Sequence, residues 1–111
     1  MKTLKFKPYL CEQILEGKKT STWRLFDDKN LQKGDLLTFL NKDTLVPFGT
    51  ATISKLCVKT LGTLEETDWE GHERFSSEEE MYATYRRYYG DKVTSVTEVK
   101  IISFVFSPFL T

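Results

Sequence analysis

The sequence has 111 residues, and its sixteen lysines and arginines are balanced by sixteen aspartates and glutamates. A hydrophobic content of 40% and a charged content of 29% exclude an intrinsically disordered chain and are typical of a soluble globular protein. A chain of this length can bury a core without disulfides or a structural metal. We therefore expect a single domain over residues 1–111.

The neutral total conceals an uneven distribution of charge along the chain. Residues 1–61 contain 11 basic and 6 acidic side chains, whereas residues 62–80 contain 1 basic and 8 acidic ones. A basic half can attract phosphate or nucleic acid, and it can equally pair with the acidic segment. The absence of an overall basic surplus argues against a long nucleic-acid-binding surface.

The predicted elements begin with a strand over residues 3–7, in which apolar residues alternate with lysines. Apolar residues then recur at spacings of three and four over residues 9–16, which predicts a short helix that ends at Gly17. Residues 20–25 are rich in β-branched and aromatic side chains and predict a second strand. Its alternation places Trp23 on the face that we interpret as core.

Turn residues 33–35 precede two further strands, predicted over residues 36–41 and 48–58. Residues 62–75 carry many acids without a regular period, and they predict a helical turn near Thr63 followed by an irregular loop. We refer to residues 62–75 as the acidic loop.

The last two elements are a helix and a strand. Ser76 stands three residues before Glu79, which predicts a capping box at the start of a helix with an apolar, tyrosine-rich stripe that ends at Gly90. Residues 98–106 predict the final strand. The whole order predicts an α+β fold, a mixed β-barrel or curled sheet of five to six strands flanked by two helices.

Several kinds of site are excluded by what the chain lacks. Cys11 and Cys57 do not have the spacing of a metal or redox site, and we interpret them as reduced packing residues. His72 is the sole histidine, which excludes a multi-histidine metal site, and we interpret it as an exposed loop residue. The six glycines are scattered and form no phosphate-binding loop. We therefore expect neither a metal nor a cofactor.

The first ten residues, MKTLKFKPYL, place lysines where a signal peptide needs an apolar core, and no apolar run is long enough to span a membrane. We therefore expect a cytoplasmic protein that does not contact a membrane.

The segment GKKTSTWR, residues 17–24, concentrates the candidate chemistry. Thr22 and Arg24 share one face of the predicted strand, and Lys19 can join them if it lies in the preceding turn. Ammonium, hydroxyl and guanidinium groups together suit a phosphate, a carboxylate or a polarised carbonyl. They also suit catalysis, because a lysine whose pKa is lowered by nearby cations such as Lys18 and Arg24 can take the proton of a threonine hydroxyl.

A proton donor to a leaving amine would complete such a set, and the acidic loop offers carboxyl groups. The stronger candidates are Glu70 and Glu73, and the lesser ones are Glu66 and Asp68.

The pattern Gly17-x-Lys19-x-x-Thr22-x-Arg24, followed by the turn Lys33-Gly34-Asp35, resembles the signature of the ASCH domain family. That family has a fold similar to the PUA RNA-binding domain, and the resemblance extends over nearly the whole chain. It implies a PUA-like pseudo-barrel with a cleft beside the motif, and a ligand that is RNA or similar to a nucleotide.

Some small members of the family are amidohydrolases that release acetate from N4-acetylcytidine. Their catalytic lysine and threonine correspond to Lys19 and Thr22, and their loop glutamate corresponds to Glu73, with Glu70 as the rival match. The chain departs from those enzymes in having Trp23 inside the motif and a longer acidic loop.

Three functions follow from these features, and the sequence leaves open whether the protein is an enzyme. In the first, Arg24 and Lys18 hold a modified nucleoside while Thr22, activated by Lys19, attacks an acetyl group and Glu73 protonates the leaving nitrogen. In the second, the domain binds RNA without catalysis, and Trp23 or a tyrosine stacks on a base. In the third, the same cleft senses a small anion as part of a regulatory domain.

Overall fold

The computed structural model describes residues 2–109, which form an α+β fold with one curled five-stranded sheet and two helices. Along the chain the elements are β1 (Lys2–Phe6), α1 (Pro8–Leu15), β2 (Ser21–Leu25), β3 (Leu36–Asn41), β4 (Pro47–Thr60), α2 (Glu78–Tyr89) and β5 (Glu98–Pro108). Two short 3-10 helices follow β4: Leu61–Thr63 leads into the acidic loop, and Glu66–Trp69 lies within it. The predicted order of elements is confirmed, and β1, α1 and β3 begin within one residue of their predicted starts.

The sheet has the strand order β1-β3-β4-β5-β2, with β1 parallel to β3 and the other neighbours antiparallel. Irregular register at Phe39/Leu40 and at Ile53/Lys55 bends the long strands, as bulges do. The two edge strands, β1 and β2, come close enough for Arg24 to donate a hydrogen bond to the carbonyl of Lys5 at 3.3 Å. The sheet is therefore curled into a half-barrel, and its two edge strands, β1 and β2, face each other across a narrow seam.

Helix α1 forms where the sequence predicts it. Pro8 occupies the first turn, where its missing N–H costs nothing, and Leu10, Cys11 and Ile14 bury one stripe against the sheet. Gly17 follows the helix with a φ of +76°, a left-handed conformation that glycine adopts without strain. The chain can therefore turn sharply from α1 into the segment that holds Lys19.

Helix α2 begins one residue later than the predicted capping box. Ser77 is the N-cap, and its hydroxyl accepts a hydrogen bond from the backbone N–H of Glu80 at 3.1 Å. The prediction of a Ser76–Glu79 box was therefore wrong, because the Ser76 hydroxyl instead donates to the Glu80 carboxylate. Of the tyrosine-rich stripe, Met81 and Tyr85 are buried, whereas Tyr88 remains 41% exposed.

The interior is divided into two apolar clusters. The first core packs α1 against β1, β3, β4 and β5, and it consists of Leu4, Phe6, Leu10, Cys11, Ile14, Leu31, Leu37, Phe39, Ala51, Ile53, Ile102 and Phe104. The second core packs α2 against β2 and β5, and it consists of Trp23, Leu25, Leu61, Met81, Tyr85, Val93, Val99 and Ile101. Strand β2 therefore lies where the second core meets the seam of the half-barrel.

Candidate functional site

A cleft of about 190 Å³ opens at the seam between β1 and β2. Its walls combine aromatic, cationic and a few other polar side chains from five parts of the chain: Lys5, Phe6, Lys7, Leu10, Thr22, Trp23, Arg24, Lys42, His72, Glu73, Tyr85, Tyr88 and Tyr89. The volume is below the roughly 300 Å³ of pockets that enclose drug-sized ligands. It therefore suits a small ligand, or one ring of a larger one.

Gly71 of the acidic loop fixes the position of the motif segment. Its carbonyl accepts hydrogen bonds from the backbone N–H groups of Thr20 at 2.8 Å and Ser21 at 3.1 Å, and the Ser21 hydroxyl donates to the carbonyl of Glu70 at 3.2 Å. Gly71 itself has a φ of +72°. This contact between loop and strand brings residues 72 and 73 beside residues 19 to 24.

Lys19 lies in the turn before β2, as expected, and is only 2% exposed. Its ammonium group forms an ion pair and hydrogen bond with the carboxylate of Glu73, 54 residues further along the chain. Among residues 2–109 the ammonium has no other hydrogen-bond partner, so two of its three donors are unused. Burial lowers the pKa of Lys19, and Arg24 acts in the same direction while Glu73 opposes it.

Glu73 is the carboxylate that lines the cleft. Burial raises the pKa of Glu73, but His72 and Lys19 lower it by more, and the net shift is downward. Glu73 is therefore ionised at neutral pH, and it can act as a proton donor only after receiving a proton. Of the two candidate acids in the loop, the structure brings Glu73 to Lys19.

His72 is buried, with an exposed fraction of 7%, so the prediction of an exposed loop residue was wrong. Its ring stacks on Trp23 with 4.0 Å between ring centres, and its Nδ1 donates to the carbonyl of Glu73 at 2.7 Å. Burial, aided by Lys19, lowers the pKa of His72 to about 4. A neutral histidine of this kind orients the loop and leaves the charge of the cleft to the lysines, Arg24 and Glu73.

Thr22 and Arg24 both line the cleft, as their shared face of β2 predicts. The Thr22 hydroxyl forms no hydrogen bond with another side chain among residues 2–109, and the residue is buried, with an exposed fraction of 4%. The Arg24 guanidinium lies 5.0 Å from the ring centre of Phe6. Its Nε is buried and forms no hydrogen bond among the described residues. After a small shift of the side chain, a bound ligand could accept a hydrogen bond from this nitrogen.

Trp23 belongs to the second core and is 3% exposed, which confirms its interpretation as a core residue. One side of Trp23 still reaches the cleft wall, and its indole Nε1 has no hydrogen-bond partner in the described part of the chain. Trp69 packs against it with 4.4 Å between ring centres. Trp23 therefore shapes the cleft floor and does not stand out as a stacking platform.

Four other candidates lie outside the cleft. Lys18 is exposed and pairs with Glu16 at 3.0 Å. Glu70 lines a separate depression with Thr20 and Ser21 that shares no residue with the cleft. Asp68 and Glu66 form ion pairs, with Lys59 at 2.8 Å and with Arg74 at 2.7 Å respectively. The structure thus brings together Lys19, Thr22, Arg24 and Glu73, and it does not bring Lys18 or Glu70 to them.

Sequence reasoning missed three lysines at the mouth of the cleft, Lys5, Lys7 and Lys42. The alternation in β1 indicated that Lys5 and Lys7 point away from the core, but it could not show what lies beside them. Only the closure of the half-barrel places them next to β2. Lys42 comes from the turn after β3, and no signal in the sequence links it to the motif.

Within residues 2–109, no group of three or more histidine, cysteine, aspartate or glutamate side chains is arranged to hold a metal ion. Neither α1 nor α2 has the length and hydropathy that a helix needs to cross a bilayer.

No protein-family model matches the sequence, and no curated protein is significantly similar to it. Solved structures do match. Protein EF3133 from Enterococcus faecalis, of family DUF984, has a TM-score of 0.76 and 17% identity over 93% of this chain and 72% of that chain. An ASCH domain from Lactobacillus crispatus has a TM-score of 0.68 and 16% identity over 91% and 72% of the two chains. ASCH from Zymomonas mobilis has a TM-score of 0.69 and 15% identity over 96% and 68%.

These identities are too low to transfer an activity, but the match in fold extends over almost the whole described chain. The curled sheet and its two helices therefore have the PUA-like fold of the ASCH domain structures, which confirms the fold that the motif resemblance implied.

Proposed function

From the ASCH-domain fold and the composition of its cleft, we propose that the protein binds RNA or a modified nucleoside beside the segment 17–24 and hydrolyses N4-acetylcytidine to cytidine and acetate. The observation that carries this proposal is the carboxylate of Glu73, which lines a cleft together with Thr22 and forms an ion pair with the buried Lys19.

A buried ion pair is a poor device for stability. Removing two charges from water costs several kcal/mol per ion, and the attraction between them often fails to offset that cost. The Lys19 side chain is 1% exposed and that of Glu73 is 20% exposed, so Lys19 bears most of the desolvation. Charged pairs with shifted pKa values beside a cleft are typical of catalytic sites.

The proposed reaction uses the pair as a carrier of one proton. Thr22 Oγ forms a bond with the acetyl carbon as Lys19 passes one of its protons to Glu73 and takes the hydroxyl proton of Thr22 in its place. The lowered pKa of Lys19 favours the loss of that first proton. Glu73, which faces the cleft, then delivers that proton to N4 as the carbon–nitrogen bond breaks. Water attacks the resulting ester on Thr22 and gives one proton to the Lys19–Glu73 pair. The pair returns that proton to Thr22 Oγ as the bond between Oγ and the acetyl carbon breaks and acetate leaves.

The remaining walls of the cleft suit a nucleobase. Phe6, Tyr85 and Tyr89 provide flat apolar surface, and an aromatic ring stacks on such surfaces with little loss of entropy. In this proposal Arg24, which lines the cleft, stabilises the negative charge that develops on the acetyl oxygen during attack. Lys18, which lies outside the cleft, has no part in this proposal.

The test is incubation of the purified protein with N4-acetylcytidine and quantification of cytidine and acetate by chromatography. Glu73→Gln and Lys19→Ala should each lower turnover at least a hundredfold, because removal of one group in a proton-transfer step typically costs about that much. Glu70→Gln is the matched control and should retain full turnover, since Glu70 lies outside the cleft. No turnover by the parent protein at high concentration would refute the catalytic part.

The cationic lining of the cleft favours a second function, a non-catalytic RNA-binding domain. Lys5, Lys7, Arg24 and Lys42 face a cleft in which Glu73 is the sole carboxylate among the lining residues. Titration with structured RNA at two salt concentrations tests this function, since phosphate contacts must weaken as salt rises. Salt-sensitive RNA binding without release of acetate would favour it over hydrolysis.

A further inference from the structure

Lys7 and Lys42 converge on one exposed aromatic ring at the mouth of the cleft. The ammonium of Lys7 lies 5.0 Å from the centre of the Tyr88 ring, and that of Lys42 lies 5.4 Å from the same centre. Lys7 belongs to the link between β1 and α1, Lys42 to the turn after β3, and Tyr88 to α2. Three separate parts of the fold therefore bring two like charges to one place.

These two lysines, and Lys5 beside them, have no acidic partner. Among residues 2–109 none of the three forms an ion pair, whereas Lys2 pairs with Asp35 at 2.7 Å and Lys100 pairs with Asp27 at 2.7 Å. The carboxylate of the cleft belongs to Glu73 and is bound to Lys19. A cation–π contact with Tyr88 holds each ammonium group near the ring but does not neutralise its charge.

The mouth of the cleft opens into a second depression. Lys5, Arg24, Lys42 and Tyr89 line both the cleft and an adjoining depression of about 470 Å³ that runs past Phe26. A ligand whose ring occupies the inner cleft can therefore extend past the lysines. The group that reaches the lysines is expected to be an anion, because Lys5, Lys7 and Lys42 form no ion pair among residues 2–109. The adjoining depression also contains Asp28 and Asp27, of which Asp27 is bound to Lys100.

We propose that Lys5, Lys7 and Lys42 form a subsite for a phosphate attached to the ribose of the bound nucleoside, so that the substrate is a nucleotide, free or within a strand, and not the unphosphorylated nucleoside. This inference rests on the proposed function, since the base must occupy the inner cleft. A phosphate carries more charge and more acceptor oxygens than a carboxylate, and lysines bind it as point charges from several directions.

The first test compares the dissociation constants of cytidine and 5′-CMP by calorimetry at low salt. The nucleotide should bind at least about tenfold more tightly, as expected for two or three partly exposed charge contacts, and the ratio should shrink as salt screens them. Equal constants for the two ligands would overturn the phosphate subsite and leave the proposed function standing. Failure of both ligands to bind would overturn the subsite, and turnover of N4-acetylcytidine would then decide the proposed function separately.

The second test assigns the effect to the lysines. In the double variant Lys7→Ala/Lys42→Ala the ratio of the two constants should fall most of the way towards one, since Lys5 alone remains of the subsite. The control is Lys33→Ala, an exposed lysine in the turn before β3 that lines neither depression, and the ratio should persist there. A ratio that survives the double variant would refute the assignment.

A third experiment compares the binding of 5′-CMP with that of a trinucleotide and identifies the source of the phosphate. Binding of 5′-CMP as tightly as a trinucleotide indicates a free nucleotide, and tighter binding of the trinucleotide indicates a strand that continues into the adjoining depression. Either result supports the subsite, whereas a trinucleotide and a nucleotide that both bind no better than cytidine would overturn it.

Discussion

The two cores of this domain differ in what they pack against. The first core is composed of aliphatic side chains and phenylalanines, with Phe39 in contact with Phe6 and Phe104. The second core contains Trp23 and Tyr85, and it borders the buried polar groups Lys19 and His72. The first core stabilises the fold through the burial of apolar surface alone. The second core also holds polar groups in fixed positions, and the desolvation of those groups costs free energy.

This difference indicates a division of labour within one small fold. Apolar burial contributes roughly 25 cal/mol per Å² and needs no particular orientation. A buried ammonium needs its carboxylate, and a buried imidazole needs an acceptor, so the second region tolerates few rearrangements. Mutations in the first core should therefore change stability alone, whereas mutations around the second should change activity as well.

The largest expected effect on stability comes from Phe39→Ala in the first core. Phe39 is fully buried and contacts four other phenylalanines, Phe6, Phe48, Phe104 and Phe106. Its truncation should lower the free energy of unfolding by about 3–5 kcal/mol, measured by urea denaturation. The folded fraction should keep its turnover of N4-acetylcytidine, and a loss of turnover per folded molecule would contradict the separation of the two cores.

The second effect is a dependence of stability on pH through His72. Its pKa of about 4 in the folded protein lies below the unfolded value of 6.5, so the neutral form is favoured by folding. Neutral His72 therefore contributes on the order of 3 kcal/mol to the free energy of unfolding, a value that follows from the size of the shift. This contribution is fully present above pH 6.5 and is lost as the pH falls towards 4. Urea denaturation at pH 7, 6 and 5 measures it.

His72→Phe provides the comparison for that pH series, because it preserves a ring beside Trp23. Stability of this variant should change little between pH 7 and 5. A remaining loss at still lower pH is expected from Glu73, whose pKa is also lowered. If the parent and the variant lose stability equally between pH 7 and 5, then His72 is not the group responsible.

A smaller effect, about 1–3 kcal/mol, is expected from Gly71→Ala. Gly71 has a positive φ, and an added Cβ would overlap the hydroxyl of Thr20, so the contact that fixes the motif segment must shift. Gly34→Ala is the matched control, because Gly34 also has a positive φ but open space around it. Both variants should lose stability, measured by thermal denaturation, and Gly71→Ala alone should lose turnover.

The smallest effect is expected at the start of α2. Ser77→Ala removes the N-cap and should cost about 1 kcal/mol, whereas Ser76→Ala removes only an exposed side-chain contact and should cost less. Thermal denaturation of both variants measures the difference. A larger loss in Ser76→Ala would show that the helix begins where the sequence pattern first indicated.

Local patterns predicted most of the fold, because they depend on neighbours in the chain. The alternation of β1, the spacing of apolar residues in α1 and the turn at Gly34 each reflect local backbone geometry, and the structure agrees closely at all three. The cap of α2 was misplaced by one residue, since two serines and three glutamates in sequence offer two equivalent registers. Such a choice is decided by packing of the helix on the second core.

The candidate site was predictable only in part. Lys19, Thr22 and Arg24 were found because a strand and the turn before it keep them close in sequence. His72 was misjudged, because the polarity of a loop does not reveal that Trp23 and Trp69 cover it. The lysines at the mouth of the cleft were missed, because closure of the sheet is a property of all five strands.

The sequence by itself determined the elements, their order and the group of polar residues at positions 17–24. Only the tertiary structure decided which acid completes that group: Glu73, joined to Lys19 across 54 residues, and not Glu70, which lies three positions earlier and faces another depression. The physical reason is the contact of Gly71 with the backbone of Thr20 and Ser21, which directs one side of the loop into the cleft and the other side away from it.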